Sequence, residues 1–220
     1  MEEVVVYTCL TNGKDVLKPA PSGVKAFCYT DEYVSPGVVV NGWELLPLHE
    51  GSLGLSPRRV ARFHKLNSHL LVELEGFVWV LWMDAKVSLK VSVKELVLLM
   101  GDCLVGCPLH LVRDCIYEEA LVVDRLRLCD SSLISAQVSF LRSEGYPESN
   151  GLHDTCLLLR RSSDEVVKFN MNWWFLLKVY SQRDQLGFDY VAWKQGLKVF
   201  DVPNSRFLTH QHSKPSTLLT

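Results

Sequence analysis

The sequence predicts an α/β protein built on a mostly parallel sheet with helices on both faces. Two observations carry this. The runs VVVYTCL at 4–10 and FVWVLWM at 77–83 are continuously apolar and rich in β-branched and aromatic residues. Such runs suit strands buried on both faces, as the strands of a parallel sheet are. Other strand-like runs alternate with segments of helical period, the pattern of parallel strands joined by crossover helices. A chain of 220 residues, 48% apolar and 22% charged, suffices for one domain over 1–220 whose core needs no disulfide or metal.

In chain order, strands are expected at Val4–Leu10, Val24–Tyr29 and Trp43–Leu48, with a loop over Ser35–Gly42. A helix follows over Pro57–Leu71, with Ser56 placed to cap it and Pro57 at its first position, where a missing N–H costs nothing. The strand Phe77–Met83 stops at Asp84-Ala85-Lys86. A helix near Val93–Met100 and a strand near Cys103–Pro108 come next, then helices over Asp114–Val123 and Leu133–Arg142. Thr155–Leu159 reads as a strand. Val166–Lys194 reads as a long helical region in two pieces, its second half marked by Leu186, Tyr190, Trp193 and Leu197 at the helix period. The chain beyond Pro203 reads as loop.

Composition excludes several classes. A net charge of -2 lacks the basic excess of a dedicated nucleic-acid binder, and the apolar content excludes intrinsic disorder. The seven cysteines are odd in number and scattered, with no C-x-x-C pair. They read as small buried hydrophobes in a reducing compartment rather than as a disulfide framework or zinc site. The start MEEVVVYTCL carries two acids where a signal peptide carries positive charge. No apolar run reaches the roughly 18 residues of a membrane span. A cytoplasmic protein is expected; a membrane anchor cut from a longer chain is the open alternative.

In sheets of this kind ligands bind outside the carboxyl ends of the strands. That rule singles out Thr8, Asp31 and Asp84, read as the polar residues that follow apolar strand runs. Asp31 is suited to a base N–H or a ribose hydroxyl, or equally to capping a turn. Arg62 and Lys65 fall on one face of the helix before the Asp84 strand. Their chemistry suits a diphosphate, Arg as a fork and Lys as a point charge, and a solvated basic face is the alternative. His110 and Arg113 follow a strand and are candidates for the sugar or acceptor side. Glu118 and Glu119 read as helix surface. Trp174 is a candidate for stacking on a sugar, whereas Trp173, at helical spacing with Phe169 and Leu177, reads as core. Asn170 or Asn172 is a loose candidate for the acceptor side.

An ordered set of segments carries a family resemblance: YTCLTNGKDVL at 7–17, FCYTD at 27–31, RVARFHKLNSHLL at 59–71, VWVLWMDAKVSL at 78–89, HLVRDCIYEEA at 110–120, SEGYP at 143–147, RDQLGFDYVAWKQG at 183–196 and HQHSK at 210–214. Together they resemble the glycosyltransferase family named after plant mucilage-related and turgor-regulation-defect proteins. The resemblance implies a GT-A-type fold, one three-layer α/β/α domain with a mostly parallel sheet. It also implies transfer of a sugar from a nucleotide diphosphate donor, a UDP-sugar foremost, to a glycan or glycoprotein hydroxyl. Part of the family has been linked to ceramide hydrolysis, so a lipid amidohydrolase stands as an alternative, as does a silent nucleotide- or carbohydrate-binding module.

GT-A enzymes usually end the central strand in a D-x-D pair that holds Mn or Mg on the donor diphosphate. Here the second carboxylate is replaced by Lys86. Asp84 then holds the metal with help from elsewhere, or Lys86 supplies the positive charge, or Asp84 merely caps a strand end. The resemblance gives His210 and His212 the metal-completing role and Lys214 a phosphate contact, against the alternative of a solvated tail. Asp184 is the candidate base that deprotonates the acceptor hydroxyl; a salt bridge involving Arg183 is its structural alternative.

Overall fold

The computed structural model describes residues 3–13, 15–32 and 35–203, together with the backbone of 208–210. One eight-stranded sheet runs through it. Its strands are β1 (Val4–Leu10), β2 (Lys25–Thr30), β3 (Val39–Val40), β4 (Trp43–Pro47), β5 (Trp79–Met83), β7 (Val105–Pro108), β8 (Leu157–Arg161) and β9 (Val199–Val202), in the order β3-β4-β2-β1-β5-β8-β7-β9. All are parallel except β3, antiparallel to β4, and β8, antiparallel to β5 and β7. Every residue of β1 and of β5 is buried, as continuous apolar runs require. The short strands β6 (Val87–Leu89) and β10 (Leu208–His210) form a separate antiparallel pair.

The helices are α1 (Pro57–Leu66), α2 (Val93–Leu99), α3 (Ile116–Arg125), α4 (Ser131–Ser143), α5 (Asp164–Val179) and α6 (Gln185–Gln195). They cover the sheet unequally. Tyr7, Trp82 and Leu158 face a core built with Val60, Phe63, Ile116, Ile134, Phe169 and Leu186, so α1 and α3–α6 share one face. On the other face Val6, Leu81 and Leu159 meet Leu17, Trp43 and, among the described helices, α2 alone, through Val93 and Leu96. Six of the seven cysteines are buried and all are free. Burial pushes the Cys28 thiol up to about 12 and those of Cys9, Cys107 and Cys156 well above the ordinary value, so these are packing groups and not nucleophiles. Among the described residues no helix is long and apolar enough to cross a membrane.

Several expected bounds move. The helix from Pro57 ends at Leu66, because Asn67 leaves helical geometry and its Nδ2 donates to Phe63 O at 3.0 Å. The residues to Leu74 then form two short 3₁₀ turns. Ser56 makes no side-chain cap bond. The strand runs at β3, β6, β9 and β10, read as loop or not singled out, are two to four residues long, too short for an alternation pattern to register.

Candidate functional site

Strand order reverses between β1 and β5. β1 leads outward to β2 and β4 on one side, and β5 opens the other side. The crevice at the carboxyl ends of these two strands is the topological switch point, where sheets of this type bind ligands. Asp84 stands there. Its backbone N–H donates to Cys156 O at 2.8 Å, and its O accepts from Val87 N at 2.8 Å, closing a tight turn. Trp82 Nε1 donates to Oδ1 at 2.9 Å. The other carboxylate oxygen makes no hydrogen bond within the described residues, and the side chain is partly exposed. Lys86, two residues on, is also partly exposed, and among the described residues its ammonium bonds no acceptor. Because β8 runs antiparallel, its lead-in residues reach the same edge: His153, Asp154 and Thr155 sit beside the end of β5. Asp154 and Asp84 both act on the Cys156 thiol.

The register of β10 with β6 places the His210 backbone opposite Val87, three residues beyond Asp84. The His210 side chain, His212 and Lys214 lie outside the described residues. Among those described, no three His, Cys, Asp or Glu side chains converge to hold a metal ion.

The remaining candidates lie away from this crevice or are engaged within the fold. Thr8 lies inside β1 rather than at its end. It pairs with Cys28 and is fully buried with Oγ1 unpartnered, so it is no donor contact. Asp31 caps a turn: both its oxygens accept from Asn12 N, at 3.1 and 2.8 Å. Asn12 and Gly13 both have positive φ there, and the carboxylate holds this exit of β1 in the left-handed region that Asn and Gly tolerate. His110 and Arg113 fold onto each other. His110 Nδ1 accepts from Arg113 N at 3.0 Å, and Arg113 is ion-paired to Glu119 at 2.6 Å. Glu119 is buried, not helix surface. Trp174 packs edge-on against Phe63 with ring centroids 5.6 Å apart, which joins α5 to α1. Trp173 is core, as its spacing implied, and Asn170 is buried against Arg160.

Lys65 and Asp184 require the largest correction. Lys65 is 1% exposed and Asp184 3%. Lys65 Nζ lies 2.5 Å from Asp184 Oδ2 and donates to Thr155 Oγ1 at 3.0 Å, and Thr155 Oγ1 donates to Asp184 Oδ2 at 2.8 Å. Arg62 Nε is 3.0 Å from Asp184 Oδ1, a charge contact whose N–H is not aimed along the line. Burial would push the Asp184 pKa up. The Arg62 and Lys65 charges, with the Lys65 and Thr155 hydrogen bonds, outweigh it and hold the carboxyl well below the usual range. The backbone is fixed as well: Trp173 Nε1 donates to Asp184 O at 2.9 Å. Gly187 lets α6 close on that ring, since a Cβ there would stand 3.2 Å from Trp173 Cδ1. This is the salt-bridge use of Asp184, with Arg62 and Lys65 rather than Arg183 as partners. It ties α1, the lead-in to β8 and the start of α6 together behind the crevice. Both carboxylate oxygens are taken up by these groups, and the Lys65 ammonium is spent on Asp184 and Thr155.

Arg62 keeps a surface role as well, since its side chain is 19% exposed. Arg59, one turn earlier on α1, and Arg183, beside Asp184, likewise have Nε atoms without an acceptor. Sequence reasoning passed over Arg59, though it shares the helical face of Arg62. It also missed His153, whose ring is clamped between two carboxylates: Nδ1 is 2.5 Å from Asp189 Oδ1 and Nε2 3.1 Å from Asp201 Oδ1. Burial alone would lower the His153 pKa, but the hydrogen bonds and charges of Asp189 and Asp201 raise it overall. The legible signal was the polar pair His153-Asp154 directly ahead of an apolar strand.

The TOD1/MUCI70 glycosyltransferase-like domain matches residues 23–214. Among solved structures, the apo bifunctional glycosyltransferase WbbM is 12% identical with a TM-score of 0.49, over 92% of this chain. The chain spans 38% of that protein's length. Mouse xyloside xylosyltransferase 1 in its apo form is 8% identical with a TM-score of 0.48, over 91% of this chain and 84% of that one. No curated protein sequence matches the chain. The family match runs from the start of β2 through the segment beyond β10, taking in Asp84, the Asp184 network and HQHSK, and the chain belongs to the TOD1/MUCI70 glycosyltransferase-like domain family.

Proposed function

We propose that the chain transfers a sugar from a nucleotide diphosphate donor, UDP-linked first among the candidates, to a glycan hydroxyl. The diphosphate lies in the crevice between the ends of β1 and β5, over Asp84 and Lys86 and against the Arg59 and Arg62 face of α1. The observation that carries this is the charge arrangement at the switch point. Asp84 has an uncommitted oxygen and Lys86 an ammonium without an acceptor among the described residues, and both side chains are partly exposed. Fixed donors at a site of developing phosphate charge are what transfer of this kind needs.

A divalent cation fits this set in part. Asp84 would hold it with His210 and His212, a carboxylate and imidazole set closer to Mn than to Mg. When bound, the metal would neutralise charge on the departing diphosphate. Lys86 stands where a second carboxylate is usual, so the metal requirement is weak or selective for Mn. Asp184 positions α1 and α6 and does not itself take the acceptor proton.

Titration calorimetry against a panel of nucleotide sugars, with and without Mn, tests the reading. Binding of at least one donor is expected, lost in Asp84→Asn and weakened in Lys86→Ala. No heat with any donor at millimolar concentration refutes it. Binding without turnover on any glycan acceptor leaves a silent binding module, and ceramide hydrolysis without donor binding leaves a lipid amidohydrolase.

A further inference from the structure

At the opposite, amino edge of the sheet lies a half-open pocket of about 220 Å³. Its floor is Arg160 of β8, opposite Val80 of β5. The Arg160 side chain is 1% exposed and has no carboxylate partner among the described residues. Asn170 Oδ1 accepts from one terminal nitrogen at 2.8 Å and the Tyr7 hydroxyl from the other at 2.5 Å. Both partners are neutral, and Nε has none. A guanidinium is always charged, and burying it without a counter-charge costs several kcal/mol.

The rest of the lining is mostly apolar, with the exposed Arg161 as a second cation. Leu71, Leu74, Phe77, Val166 and Val167 form apolar walls. Ser162 Oγ is spent on Phe77 O, and Ser163 Oγ on the start of α5. His69 Nδ1 is buried and unpartnered. Burial and the Arg160 charge both lower the His69 pKa, which keeps that ring neutral beside the guanidinium. Glu75 stands exposed at the mouth and forms no ion pair with Arg160.

We propose that this pocket binds a small organic monocarboxylate with an apolar tail, the carboxylate on Arg160 Nε and the tail between α5 and the turn before β5. A carboxylate suits the site because one side-on N–H and one imidazole nitrogen satisfy it. A phosphate dianion would meet apolar walls over most of the lining. Scaled from a cavity that takes benzene, the volume admits roughly nine non-hydrogen atoms, and the open mouth leaves room for one more. The site is independent of the transferase reading, since it lies at the other end of the strands and shares none of the donor groups.

Phenylacetate is the probe, with phenylacetamide and inorganic phosphate beside it, read by melting temperature and amide NMR on the whole chain. At ten times its Kd, phenylacetate raises the melting temperature by about 3–6 °C. It shifts amides of 68–77 and 160–170, and binds at least tenfold tighter than the amide or phosphate. Val167→Phe fills the pocket while sparing Arg160, and is expected to fold as wild type and lose binding at least tenfold. Glu75→Gln is expected to strengthen it. Failure of phenylacetate to shift the protein at 10 mM, equal binding of phenylacetamide or phosphate, or unchanged binding by Val167→Phe each overturns the proposal. In those cases Arg160 is held by Asn170 and Tyr7 alone.

Discussion

Replacing Asp184 with Asn separates a structural carboxylate from a catalytic one. The substitution keeps the shape and can still accept from Thr155, but it removes the one carboxylate among the described residues that touches the Lys65 ammonium. Lys65 is then a buried charge without compensation, and breaking a buried pair from one side costs about 3–5 kcal/mol. At about 2–4 °C per kcal/mol for a chain of this size, the melting temperature falls by roughly 6–20 °C. The Asp184 pKa is depressed in the folded state. Its contribution is therefore present above the unfolded carboxylate value and lost as pH falls through the folded one. The gap between wild type and variant should accordingly close on strong acidification. Lys65→Met alone leaves Asp184 with Arg62 as its one remaining cation among the described residues, and the double variant Lys65→Met/Asp184→Asn removes both charges of the Lys65–Asp184 pair. Its loss should fall short of the sum of the singles by about 1–3 kcal/mol. Urea denaturation gives the cycle, and turnover per folded molecule is measured on the same samples. A variant melting within about 2 °C of wild type, with turnover down by about 10²-fold or more, would refute the structural assignment and return Asp184 to the role of base.

Three further outcomes follow from the same contacts. His64 is buried, its Nε2 accepting from His49 N at 3.1 Å and its Nδ1 lying 2.9 Å from Val60 O. Burial lowers its pKa from 6.5 to about 4, so as pH falls from 6.5 towards 4 the unfolded chain binds the proton first. Stability should drop over that window by about 3 kcal/mol, visible in urea midpoints. His153 has the opposite sign: its folded pKa is raised, so its contribution is complete below the unfolded value and lost as pH rises through the folded one, and His153→Gln should remove that alkaline-side slope. Arg59→Gln should leave the melting temperature within about 1 °C, since the side chain holds no partner by Nε, and weaken nucleotide-sugar affinity about 3- to 10-fold. Unchanged affinity by calorimetry would take Arg59 out of the donor site.

Much of the sheet was legible from the chain alone, for a physical reason. A parallel strand buried on both faces must be apolar throughout, so VVVYTCL and FVWVLWM declare themselves without knowledge of their neighbours. The break between α5 and α6 and the burial of Trp173 follow from helical period in the same way. Asp84 was legible because a carboxylate that ends an apolar strand must stand at an edge. Partnership is not a local property, and there the tertiary structure decided. Lys65 and Asp184 are 119 residues apart, and nothing in either segment marks them as one buried pair. A lysine on a helix reads as a solvated or ligand-binding group until the strand lead-in at Thr155 and the start of α6 close over it. Asp31 was correctly located at a strand end, but its duty was set by the Asn12-Gly13 turn, while Thr8 falls two residues inside β1 and is buried there. The uncompensated charge of Arg160 was invisible for the same reason: within LLLRR it is merely the next residue of a strand. Only the packing of α5 and the turn before β5 against that face makes it a buried cation at the floor of a pocket.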